Sequence, residues 1–131
     1  MHVANTGNAN FQPRTGQPMF TGEVNAAGLV DDTMTEQTRL LLVKFSPGGR
    51  TKWHTHTFEQ ALIIVEGKGV VGSEKDGERV VEPGDVVVFS REERHWHGAG
   101  MHTHMAHIAV NLSPGESKVL EPVEKIDTPG V

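Results

Sequence analysis

Hydrophobic and polar positions along the chain alternate in a two-residue rhythm broken by glycine and proline, the pattern of strands with one buried face. Leu41, Val43 and Phe45 fall on one side of a strand over 39–46, and Leu40, Leu42 and Lys44 on the other. Near the C-terminus, His107, Ala109 and Asn111 alternate with Ile108, Val110 and Leu112 across 105–112. Shorter apolar runs at 60–66, 70–74, 78–81 and 86–89 are separated by turn formers: Gly67-Lys68-Gly69, Lys75-Asp76-Gly77 and Glu82-Pro83-Gly84-Asp85. The Asp76-Gly77 pair marks a hairpin. A first strand is expected over 19–25, followed by a polar connection over 26–37 with Asp31, Asp32 and Thr33 as turn formers. Residues 1–18, rich in Asn, Gly, Gln and Pro, read as an irregular arm, and 121–131 as a Pro-containing tail. Between them, 19–120 forms the domain proper. The fold class that follows is all-β, an antiparallel sandwich or barrel of short strands.

Composition narrows the function. A chain of 131 residues makes one domain with room for a core. The formal charge of −5, with no basic run, argues against nucleic-acid and anionic-membrane partners. No stretch approaches the length of a membrane span, and the N-terminal residues lack the apolar core of a secretory signal, so the cytoplasm is the expected location. With no cysteine, disulfides, thiolate chemistry and cysteine-based zinc or iron–sulfur sites are excluded.

The chemistry is concentrated in histidines. His54 and His56 are two apart in a strand context and point to one side, and Gln60 can reach the same point from the start of the next strand. Neutral imidazoles are the commonest ligands of divalent transition metals, and an amide oxygen adds a neutral donor. A second pair, His95 and His97, follows the strand over 85–90. Glu59 is a rival oxygen donor but falls out of register with His56. His102 and His104 form a third such pair, read as a surface loop, and His2 lies in the arm. Trp53 and Trp96 read as wall packing beside the histidines.

The two histidine stretches resemble the paired motifs of the cupin superfamily. In the first motif Gly48, His54, His56 and Gly67 stand at the family spacing, with Gln60 where a glutamate is usual. In the second, Gly84 and His95 fit, while Ser90, Glu92 and Ala99 replace the proline, glycine and asparagine. The resemblance implies a double-stranded β-helix, the antiparallel cupin jelly-roll barrel. Over about 19–111 the chain is more closely similar to bacterial cupin-type hydroxynitrile lyases, through WHTH with Gln60, PGDVVVFS, RHWHGA and HIAV. It departs from them at Thr57-Phe58-Glu59 and at the bulky Leu41.

That likeness implies one divalent transition metal per chain on His54, His56, Gln60 and His95. Manganese is the expected ion, with iron, zinc, nickel or cobalt as alternatives. His97 and His107 would line the pocket and act as the catalytic pair. His97 stays open as a further ligand, a proton shuttle or a hydrogen-bonded neighbour, and His107 as a pocket group or a satisfied core histidine. Leu41, Val43, Phe45 and Asn111 would form the substrate pocket, with Ile64 nearby. The implied reaction is reversible cleavage of a cyanohydrin to a carbonyl compound and hydrogen cyanide. Three imidazoles and a neutral amide leave the ion's charge uncompensated, which favours a Lewis-acid role over a redox one. The alternatives are a metal-dependent cupin dioxygenase, a sugar-acid ring-opening enzyme and a non-catalytic small-ligand-binding cupin. Partners are expected to be a small-molecule substrate and a second copy of the chain. The free edges of an antiparallel sandwich favour a homodimer or higher oligomer, with the arm covering a neighbour's edge.

Overall fold

Thirteen short strands arranged in two facing sheets account for most of residues 1–120, the portion that the computed structural model describes. The alternating run at Leu41, Val43 and Phe45 becomes β4 (Thr38–Phe45), and the C-terminal alternation becomes β12 (Met105–Leu112). These two pair antiparallel in the middle of the first sheet. On the far side of β12 lie β7 (Gln60–Gly67) and then β10 (Val86–Phe89). On the far side of β4 lie β3 (Val24–Val30) and a two-residue β1 (Gln12–Pro13).

The second sheet centres on β11 (His95–Ala99). One neighbour is β8 (Gly69–Ser73), which turns back as β9 (Gly77–Val81) in the expected hairpin. The other side of β11 is shared by β5 (Arg50–Thr51) and β6 (His54–His56). Beyond these sit β2 (Phe20–Thr21) and β13 (Ser117–Val119). The only helical piece among the described residues is a 3-10 turn at Thr6–Asn8. No described helix is long and apolar enough to cross a membrane.

Two expectations are corrected. The first strand is not continuous over 19–25: Gly22 (φ 76°) redirects the chain, so that β2 joins one sheet and β3 the other. A side chain there would meet Gly49 Cα at 2.9 Å, so the bend also requires a residue without a Cβ. The polar connection starts at Asp31, not Ala26, because Ala26, Ala27 and Leu29 are buried in β3. Within the connection, Asp31 Oδ1 accepts from the Thr33 amide at 2.9 Å, as its turn-forming side chain predicts. The arm lies against the domain, where β1 covers the β3 edge of its own chain and Lys44 Nζ lies 4.9 Å from the centre of the Phe11 ring.

The core lies between the sheets. Val24, Ala26, Val43, Phe45, Leu62, Ile64, Val71, Val81, Phe89 and Met105 interlock there, with Leu41 partly buried against them. The parity read from β4 and β12 therefore holds, and it sends His107 inward together with Ala109. Val86 and Val88 on the opposite face of the first sheet are exposed, as is Leu112.

Candidate metal centre

Strand alternation and backbone pairing bring four imidazoles and one amide together at one end of the core. His54 and His56 leave β6 on the same side. His95 stands opposite His54 in the β6–β11 ladder. Ring centres are 4.2 Å apart for His54 and His95, 4.8 Å for His54 and His56, and 5.1 Å for His56 and His95. Gln60, the first residue of β7, places Oε1 3.3 Å from His95 Nε2. The four expected ligands thus lie side by side, with His56 at the edge: the ligand atoms that come within 4.8 Å of one another are those of His54, His95 and His97. The structure adds His97, whose ligand atom lies within 4.8 Å of those of His54 and His95. Glu59, His102 and His104 are exposed, as their register and loop position suggested.

The hydrogen bonds around the cluster fix which ring nitrogen of His54 and of His95 is bare. His54 Nδ1 is 2.7 Å from the Lys52 carbonyl and His95 Nδ1 2.8 Å from the Glu93 carbonyl. A carbonyl only accepts, so each Nδ1 carries the hydrogen and each Nε2 offers a lone pair to the interior. His56 Nδ1 is held by Ser117 Oγ at 2.6 Å, and its buried Nε2 has no partner. Glu93 is itself fixed by Ser73 Oγ at 2.5 Å and by the Ser90 amide at 2.8 Å. Phe89 stacks on His95 with centres 3.9 Å apart, and Phe58 stacks on His56 at 4.9 Å. Phe89 shared a parity with Val87 that could have marked it as inward-facing. Nothing local to Ser117 signals its contact.

Burial is the first cause of the low basicity of every ring here. It holds His54 and His97 well below the usual histidine range, pulls His95 down, and takes His56 to about 4. Neighbouring imidazoles lower His54, His56 and His97 further. At neutral pH the whole cluster is uncharged, the state that metal ligation requires. Inward Nε2 lone pairs on His54 and His95, with His97 beside them and His56 Nε2 buried without a protein partner, fit a divalent transition metal at this histidine group.

Beside this cluster, His107 Nε2 lies 2.9 Å from His97 Nδ1. His107 faces Val43 on β4 and Ile64 on β7, and the Phe45 ring lies 5.3 Å from it. Both histidines are buried, and the outer atoms of the pair, His97 Nε2 and His107 Nδ1, have no protein partner. Burial lowers His107 from its ordinary 6.5 to about 4. Between those values the unfolded chain binds a proton that the folded metal-free protein refuses. Stability is therefore complete above pH 6.5 and falls as the pH drops to about 4, by about 3 kcal/mol from His107 alone. Denaturant midpoints of the metal-free protein should decline over that window, and a midpoint that rises on acidification would contradict the assignment.

Trp96, between the two inward histidines on β11, points to the opposite face and is fully buried. Arg50 covers its ring at 4.3 Å. Gly72 leaves it space, since a Cβ at that position would fall 1.9 Å from the indole nitrogen. This agrees with a packing role. Val43 and Phe45, expected to form the substrate pocket, lie in the core at the inner wall of the histidine group.

Residues 41–111, more than half of the chain, match the family of cupin domains. The chain belongs to the cupin family. This cupin is 48% identical over 91 residues to "(R)-mandelonitrile lyase" of Granulicella tundricola, an alignment covering 70% of each chain. A solved structure of a cupin-like protein from Thermotoga maritima superposes with a TM-score of 0.76 at 31% identity, covering 92% of this chain and 89% of that one. The polyketide cyclase RemF of Streptomyces resistomycificus superposes with a TM-score of 0.78, covering 94% of this chain and 89% of its own. At 19% identity, the latter likeness concerns the fold.

Proposed function

We propose that this cupin cleaves cyanohydrins reversibly to a carbonyl compound and hydrogen cyanide. One divalent transition metal, expected to be manganese, would be held by His54, His56, Gln60 and His95. The observation that carries the reading is the buried His97–His107 pair, joined at 2.9 Å, beside the cluster of bare ring nitrogens. Likeness to a mandelonitrile lyase supports it. When bound, the ion supplies Lewis acidity to a carbonyl or hydroxyl oxygen.

The chain's own residues handle the proton. His107, assisted by His97, accepts the hydroxyl proton of the cyanohydrin, and the charge is shared across their hydrogen bond. The O–H electron pair becomes the carbonyl π bond, and the C–C pair leaves with cyanide. Because burial makes both rings weak bases, the pair holds the proton briefly and returns it to the departing cyanide. Nothing is oxidised or reduced. Among the described residues no lysine or arginine is buried, and Val43, Phe45 and Ile64, with Leu41 against them, make the surroundings of the histidines apolar. Such surroundings suit a small carbonyl compound better than a phosphorylated sugar.

The test loads the purified protein with Mn(II) and follows benzaldehyde release from mandelonitrile while recording dissolved oxygen. Benzaldehyde without oxygen uptake is the expected result. Oxygen uptake by an iron-loaded sample with no benzaldehyde from the manganese form would replace the lyase reading with a dioxygenase. We further propose a homodimer or higher oligomer, supported by the exposed Val86, Val88, Ile63, Val65 and Leu112. Light scattering at micromolar concentration should give a multiple of the 14.3 kDa chain mass, and a monomer mass would refute it.

A further inference from the structure

Gln60 can turn either its amide oxygen or its amide NH2 toward the imidazoles, but not both. It is 4% exposed, so whichever group lacks a partner is left without water as well. The side-chain Nε2 donates to Asn111 Oδ1 at 2.7 Å, and this bond turns Oε1 toward His95 Nε2 at 3.3 Å. His95 Nδ1 is committed to the Glu93 carbonyl at 2.8 Å, so His95 Nε2 carries a lone pair. Two acceptors therefore face each other. A cation completes that arrangement, whereas a site built for hydrogen bonding alone would present the NH2 to His95.

Asn111 is placed for this by the sheet itself. In the β7–β12 ladder Val110 stands opposite Ala61, so Asn111 and Gln60, one step further, meet on the inner face. We propose that Asn111 is a positioning residue: its carbonyl oxygen holds the Gln60 amide with Oε1 presented to the metal. This assigns the Asn111 side chain to the ion's coordination instead of to direct contact with substrate. The inference rests on the metal site of the preceding reading.

The experiment measures Mn(II) affinity of the full chain by competition with a chelating dye, for wild type, N111L, N111A and N111D. Leucine and alanine cannot accept the Gln60 hydrogen. Aspartate can only accept, so it enforces the same amide orientation. N111L and N111A should weaken binding by about 10–100-fold, and N111D should bind as tightly as wild type or more tightly. Wild-type affinity in a folded N111L or N111A overturns the proposal, as does N111D binding as weakly as they do. Failure of the wild type itself to bind Mn(II) would instead remove the metal site on which the proposal stands.

Discussion

Replacing His95 with alanine is expected to abolish divalent-metal binding while leaving the chain folded. His95 contributes more to the centre than one donor atom. Its ring stacks on Phe89 at 3.9 Å, lies 4.2 Å from His54 and 5.1 Å from His56, and faces Gln60 Oε1 at 3.3 Å. Without it, two imidazoles and an amide remain of the four proposed ligands, and the space left admits water to the others. Phe89 loses its stacking partner, while the remainder of the core cluster, with Val24, Leu62 and Ile64, keeps the fold together. Elemental analysis after dialysis against chelator and reloading should find the metal in wild type and none in H95A. A double variant H54A/H56A that retained full occupancy would refute the ligand assignment.

The second large effect is on turnover. His107→Ala should lower cyanohydrin cleavage by about 10²–10⁴-fold, the usual contribution of a positioned acid–base group. Metal content should be unchanged, because His107 meets the cluster through His97 Nδ1. Steady-state kinetics and elemental analysis on one preparation separate the two roles. Unchanged turnover with unchanged metal would reduce His107 to packing against Phe45. Lost metal would make it a support for the ligands.

Parity along single strands was sufficient to find much of this. Leu41, Val43 and Phe45 face the core, and His107 and Ala109 share that side, because a strand leaves no other choice once one face is buried. The histidine pairs were visible for the same reason. Gly22 was harder: a glycine within an apolar run signals a bend, but only the two sheets reveal that the chain changes partner there. Ala26, Ala27 and Leu29 were read as connection because the run is weakly apolar. Pairing along β4 made it a strand. Contacts between distant residues left no trace in local pattern. His56 meets Ser117 across 61 positions and Gln60 meets Asn111 across 51.

The hydrogen-bond partners behind the proposed ligands are of two kinds. His54 and His95 lean on the carbonyls of Lys52 and Glu93, which belong to the backbone and survive any change of residue at those positions. Gln60 and His56 lean on the side chains of Asn111 and Ser117, which a single codon change can remove. Half of the centre is thus sheltered from sequence drift and half is open to it. In the proposed centre, variation at 111 and 117 would retune ion preference while the two backbone-braced imidazoles stay in place. A library randomised at those two positions would sample new metal preferences on an unchanged scaffold.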